Sequence, residues 1–291
     1  MIEISKPGIS FQEDLNGRQT LFLKNLEIGH SRHALPFQLT GAFRPGKIHL
    51  ILGPSGTGKS TLLLSLAGLL APLGGEVFLG DRPWESAENV GMSFQSPEAT
   101  FFSPTVGEEI VFGLMERGVV QKESDEMGRK WLEVWGLDSE KFWHRNPFHL
   151  SGGEKRRVAL AAATSFQPHL MLLDEPVAGL DYVAQQEVFL LLRNLAKRHL
   201  VVLVTHDPEP LLAFAGTVLL LNRREGQWFD GGRAFLGSVL ENPGLYPLSE
   251  WYISAISGSG PLSVPPWPTA QDVWSFLRNP LSAPPSKEES Q

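Results

Sequence analysis

The chain has 291 residues, 42% of them hydrophobic and 20% charged, and no cysteine. This excludes collagenous, disordered and disulfide-built classes, leaves no thiolate metal site or sulfur nucleophile, and fits a reducing, cytoplasmic setting. The 32 acidic residues outnumber the 25 basic ones for a formal charge of −7, which argues against a nucleic-acid partner.

No apolar run reaches the ~18–20 residues that span a bilayer, and MIEISKPGIS has neither the basic start nor the apolar core of a signal peptide. Any membrane role is therefore expected through a partner. Residues 21–28 and 37–43 alternate apolar and polar, predicting half-exposed antiparallel strands near the N-terminus. By contrast, Lys47 to Leu52, His169 to Leu173 and Leu200 to Val204 are nearly continuous apolar runs, as in strands covered on both faces of a parallel sheet. Helical patterns follow each of them, so the fold class is α/β.

Between about residues 100 and 165 a helical insertion is expected. Thr105 and Glu108 have capping-box spacing, and Met127, Trp131 and Trp135 recur at four-residue steps. After Glu225 the composition shifts, because the last 66 residues hold four of the eight Trp and nine of the 22 Pro. The expected organisation is a body over 1–225, a small C-terminal domain over 226–280 and a disordered tail over 281–291.

Gly53-Pro54-Ser55-Gly56-Thr57-Gly58-Lys59-Ser60-Thr61 fits G-x-x-x-x-G-K-[ST], between a buried strand and an apolar helix. In that setting the backbone amides form an anion nest, Lys59 reaches the terminal phosphate oxygens and Ser60 offers its hydroxyl to Mg²⁺. Asp174 and Glu175 end a buried strand, where an α/β sheet presents groups to a ligand. Asp174 suits the Mg²⁺ shell, and Glu175 suits a general base, although paired acids also open ordinary loops.

Ser151-Gly152-Gly153-Glu154 opens a helix rich in Ala and Val. The Ser/Glu spacing is that of a capping box, while the two glycines expose amides at a positive helix end and predict a second anion site. Arg156 and Arg157, next along, read as a solvated helix face.

The order of P-loop, Leu150-Ser-Gly-Gly, strand-Asp174-Glu175-Pro176, Ala178-Gly-Leu-Asp181 and Thr205-His206 resembles the ATPase of ABC transporters over about residues 21–222. The resemblance implies a P-loop NTPase fold with N-terminal antiparallel strands and a mostly parallel core sheet. It also implies ATP and Mg²⁺ as ligands and a head-to-tail dimer with a second ABC subunit, a copy or a paralogue. Carried over by motif, residues 53–61 hold phosphates, and Ser60, Asp174 and Gln95 serve Mg²⁺. Ser151, Gly152, Gly153 and Glu154 form the signature that meets ATP on the opposite subunit. Glu175 is then the base, His206 the γ-phosphate contact and Asp181 an interface residue. The usual upstream aromatic is missing, and His30 is the candidate to stack on adenine.

The stretch from Gln95 to Gly113 resembles energy-coupling-factor ATPases, the motors of vitamin and cobalt/nickel uptake, although Ala99 and Thr100 stand where that family commonly has an acid and a glutamine. This implies integral membrane partners, attachment at the cytoplasmic face, and docking through acidic Glu98, Glu108 and Glu109. A C-terminal helix over residues 269–277 is expected in the extra domain. A soluble ABC protein of translation or repair, or a weakly hydrolysing regulatory subunit, is the alternative. The single ATPase unit and the intact Glu175, His206 and Ser151 speak against both.

Overall fold

The computed structural model describes residues 20–30, 33–34, 37–84, 89–96, 99–250 and 252–253. Elements follow in chain order: β1 (Leu21–Glu27), β2 (Gly29–His30), β3 (His33–Ala34), β4 (Leu39–Phe43), β5 (Ile48–Leu52), α1 (Lys59–Leu66), β6 (Gly74–Leu79), β7 (Arg82–Pro83) and β8 (Val90–Ser93). Helices α2 (Val106–Met115), α3 (Gln121–Val134), α4 (Ser139–Phe142) and α5 (Gly152–Thr164) come next, and then β9 (Leu170–Asp174), α6 (Tyr182–Leu195) and β10 (Leu200–Val204). The chain continues through α7 (Glu209–Leu212), β11 (Ala215–Leu221), β12 (Gly226–Phe229) and α8 (Gly232–Glu241).

Strand β1 buries Leu21, Leu23 and Leu26. The inward set skips from 23 to 26 because the register shifts there in both its pairings, at Asn25 with φ 48. The Asn25 amide donates to Thr40 Oγ1 at 2.9 Å, and the Thr40 hydroxyl donates to Asn25 Oδ1 at 3.0 Å, pinning this bulge to β4. The sheet so formed has the order β4-β1-β6-β7. Its inner face shares one core with Leu62, Leu63 and Leu66 of α1 and with Ile51, Leu172, Val202 and Leu219 of the second sheet.

That second sheet has the order β12-β11-β5-β10-β9-β8, with parallel pairing throughout except for the antiparallel edge β11–β12. Strands β5, β9 and β10 are buried at every residue, which explains their unbroken apolar sequences. The neighbours β8 and β11 were not expected as strands: β8 is four residues with a glycine and a serine. The expected helical insertion is present as α2, α3, α4 and α5. Met127, Trp131 and Trp135 are buried as their spacing predicts, and Trp135 Nε1 donates to Thr164 Oγ1 at 2.9 Å.

The C-terminal boundary departs from expectation. Two compact units divide between Phe235 and Leu236, not at 225/226. Residues 226–229 form the edge strand of the large sheet, and the Trp228 ring packs 5.1 Å from Phe43. The composition shift misleads because the first of its tryptophans belongs to the body's core rim. The helix expected over 269–277 and the tail over 281–291 lie outside the described residues. Among the described residues no helix is long and apolar enough to cross a membrane.

Candidate active site

Four adjacent parallel strands end at one edge of the sheet, and each leads into a site segment. The loop 53–58 follows β5, His206 comes two residues after β10, Asp174 and Glu175 close β9, and Gln95 comes two residues after β8. The loop is turned by glycines at positive φ, among them Gly53 (φ 141) and Gly58 (φ 90). A Cβ on Gly53 would be driven into the Leu221 carbonyl oxygen, so any other residue would push the loop off the sheet. Gly58 caps α1 without a side-chain hydrogen bond, which leaves the first-turn amides available to an anion.

Lys59 is buried, and its Nζ donates to the carbonyls of Gly53 (2.7 Å) and Pro54 (2.9 Å), across the concavity that phosphate oxygens would enter. Burial lowers its pKa, against the opposing pull of Glu175 and Asp174. Thr57 donates to Pro54 O at 2.9 Å and stiffens the loop, while Ser55, Gly56 and Ser60 are exposed and Thr61 is half-buried. Ser60 Oγ donates to Asp174 Oδ2 at 2.7 Å. A hydroxyl and a carboxylate at the mouth of a phosphate loop are hard oxygen donors, the kind Mg²⁺ takes beside substrate phosphates.

Glu175 is held at φ 50, a left-handed conformation uncommon for a residue with a side chain. Its amide donates to Val204 O at 3.0 Å, so β10 fixes it in place. Burial raises its carboxyl pKa to about 7, helped by Asp174 and opposed by the His206 amide, Lys59 and Arg156. Oε1 is buried with no hydrogen-bond partner, and His206 Nε2 stands 3.5 Å from it. The His206 pKa is itself lowered, by burial first and then by Lys59, with Asp174 opposing, which disfavours the charged ring beside Glu175. A buried carboxyl with a bare oxygen, poised near neutrality, is suited to take a proton from water.

Among the described residues, Ser151, Glu154 and Asp181 make their side-chain hydrogen bonds within their own helix starts and not to this cluster. Ser151 and Glu154 form the capping box of α5, with Glu154 N to Ser151 Oγ at 3.3 Å and Ser151 N to Glu154 Oε2 at 2.7 Å. Gly152 is exposed and Gly153 half-buried beside it. Asp181 caps α6 by accepting from Ala184 N at 2.9 Å. The His30 side chain and Glu98 lie outside the described residues.

Two expectations are overturned. Glu109 is not an exposed docking acid: it is 7% exposed, and its Oε2 accepts from the amides of Phe102 (3.1 Å) and Ser103 (2.9 Å). The loop entering α2 has amides without strand or helix partners, and this carboxylate satisfies them. Glu108 is exposed, with its amide donating to Thr105 Oγ1 at 3.2 Å. Nor are Arg156 and Arg157 a solvated face. Arg156 is 6% exposed, and Arg157 donates to Trp135 O (3.1 Å) and Glu187 (3.2 Å). Spacing could have found Arg156, which lies three and four residues before the buried Ala159 and Leu160.

A glycine-turned loop with a buried lysine and a strand-end Asp-Glu pair on a parallel sheet define a P-loop nucleotide-binding protein. The ABC transporter family model matches residues 37–178. The energy-coupling factor transporter ATP-binding protein EcfA2 of Acetivibrio thermocellus is 40% identical over 60% of this chain and 64% of its own, just under two thirds of its length. That of Enterococcus faecalis is 36% identical over 72% of this chain and 76% of its own. Among solved structures, a dimeric bacterial ABC transporter cassette superposes with a TM-score of 0.64 at 26% identity, covering 71% of this chain and 96% of that one. The chain belongs to the ABC transporter ATP-binding proteins, within the energy-coupling-factor type.

Proposed function

We propose that the chain binds and hydrolyses MgATP and so powers a membrane importer of energy-coupling-factor type, for a vitamin or a transition-metal ion. The observation that carries this is the convergence of Lys59, Ser60, Asp174, Glu175 and His206 at one sheet edge. Lys59 leaves its two loop carbonyls for the β/γ oxygens of ATP, and the α1 amides take the remaining phosphate charge. Ser60 and Asp174 would hold Mg²⁺, which when bound neutralises charge on those oxygens. Glu175 accepts the proton of the attacking water, and His206 orients that water beside the γ-phosphate. The test is steady-state hydrolysis, with and without Mg²⁺, by the chain purified alone and with a co-expressed paralogous subunit: strictly Mg²⁺-dependent turnover supports the reading, and no turnover in either preparation overturns it.

Completion of the site needs a second subunit. Ser151 sits at the exposed start of α5, with its hydroxyl accepting from its own helix, and Gly152 leaves an open amide there. A copy of this chain or a paralogue would bring this end to the phosphates, with Asp181 at the same interface.

The membrane partner would dock where α2 begins. Phe102 (61% exposed) and Phe112 (45%) stack edge to face at 4.7 Å, with exposed Met115 and Glu108 on the same helix as Phe112. Bare aromatic surface beside an acid suits an apolar helix carrying a basic residue. This would hold the chain at the cytoplasmic face of the membrane.

A further inference from the structure

Arg156 sits near the start of α5, buried, and its guanidinium forks onto two consecutive carbonyls of a distant segment. Nη1 donates to Phe94 O at 2.9 Å and Nη2 to Gln95 O at 2.6 Å. These carbonyls follow β8, whose last residue Ser93 pairs with Leu173, one residue before Asp174. One side chain therefore joins the strand exit carrying Gln95 to the helix whose first turn carries Ser151, Gly152 and Gly153.

The geometry of the contact is more demanding than that of a packing cation. A planar fork on successive carbonyls fixes the orientation of the intervening peptide, and thereby the direction in which Gln95 leaves the backbone. A lysine can reach two successive carbonyls, as Lys59 does, but its ammonium is a rotatable point donor that does not fix the plane of the peptide between them. Arg157, next in sequence, turns to other elements, Trp135 at the end of α3 and Glu187 on α6. The two arginines thus separate their tasks: one reaches the nucleotide edge of the sheet, the other braces the helical layer.

We infer that Arg156 is a positioning residue that transmits the placement of Gln95 at the nucleotide site to the α5 end that a second subunit must meet. The inference rests on the proposed ATP-driven pairing and deepens it by naming the link inside each subunit. Nucleotide binding and subunit pairing are then separable functions, and Arg156 joins them.

The experiment uses the full chain carrying Glu175→Gln, so that MgATP is retained. Binding of a fluorescent ATP analogue and light scattering with MgATP are measured for this parent and for versions adding Arg156→Met, Arg156→Lys or Arg157→Met. The expected result is nucleotide affinity within threefold of the parent in all three added variants. The protomer concentration for half-maximal dimerisation should rise at least tenfold in Arg156→Met, by less in Arg156→Lys, and little in Arg157→Met. Hydrogen exchange at residues 94–96 should be faster in Arg156→Met and unchanged in Arg157→Met. If Arg156→Met misfolds, Arg156→Lys keeps charge and helix and decides alone. Dimerisation equal to the parent in the Arg156 variants overturns the inference, and so does an equal defect in Arg157→Met, which would mean general loosening of α5. A parent that binds no ATP removes the reading of function and the inference with it, whereas a parent that binds ATP without pairing overturns the inference and leaves the nucleotide-binding reading in place.

Discussion

Ser60 and Asp174 are joined by a 2.7 Å hydrogen bond between residues 114 positions apart, linking the first turn of α1 to the end of β9. The donor is the hydroxyl, so both lone pairs of Ser60 are free to face a cation while the carboxylate sets its direction. Asp174→Asn should weaken Mg²⁺-dependent activity by the ~10–100-fold typical of losing a group that orients a metal ligand. Titration of Mg²⁺ against ATP turnover checks this, and an unchanged half-saturating Mg²⁺ concentration would refute it.

Glu175→Gln should retain ATP binding and lose turnover by roughly 10²–10⁴-fold, as expected for a missing general base. With the wild-type carboxyl raised to about 7, kcat/KM should climb as pH rises through that value and level off above it. A flat profile between pH 6 and 8 would remove Glu175 from the role.

The same carboxyl makes folding stability depend on pH. The folded chain holds its proton up to about 7, whereas the unfolded chain releases it near 4.5, so the stabilisation is complete below 4.5 and disappears as pH rises through 7. Relative to Glu175→Gln, the wild type should lose about 3 kcal/mol across this window. Urea denaturation of both proteins at pH 5 and pH 8 measures the difference, and parallel behaviour would contradict it.

Much of this was legible in the sequence, and the failures share a cause. Buried parallel strands announce themselves as apolar runs, and the P-loop, the Asp-Glu pair and Ser151 stand at positions set by their own chain neighbours. Glu109 and Arg156 were misread because charge suggests exposure, while their partners are backbone groups with no sequence signal. The carboxylate of Glu109 meets amides six and seven residues before it, and Arg156 meets carbonyls 61 and 62 residues away. Trp228 misled in the opposite sense, since a ring that packs on Phe43 counted toward a separate domain.

Glu109→Ala should therefore destabilise the chain, by about 1.5–3 kcal/mol for each hydrogen bond from a charged acceptor, less what water recovers at the loop amides. The midpoint of chemical denaturation checks this. An unaltered midpoint would show that the loop holds itself without the carboxylate.

Docking is better tested on the exposed side of α2. Phe112→Asp and Glu108→Arg should leave hydrolysis by the isolated chain within about twofold while weakening assembly with the membrane subunit, where losing one side of a desolvated charge pair costs about 2–5 kcal/mol. Co-purification from membranes is the measurement. Assembly at wild-type levels in both variants would place the interface elsewhere.

The full burial of β5, β9 and β10 has a consequence for how the chain finds its register. Strands with one wet face are aligned by their own alternation, but a run such as Leu200 to Val204 buries equally well if it slides by one residue. Such a slip would carry His206 about 3.3 Å along the sheet and turn it to the other side. What opposes it sits at the strand ends: the Glu175 amide on Val204, the Ser60 hydroxyl on Asp174, and the glycine turn under Leu221. Groups at the nucleotide edge thus also act as alignment pins for the sheet, so a change made to the chemistry there also acts on correct folding.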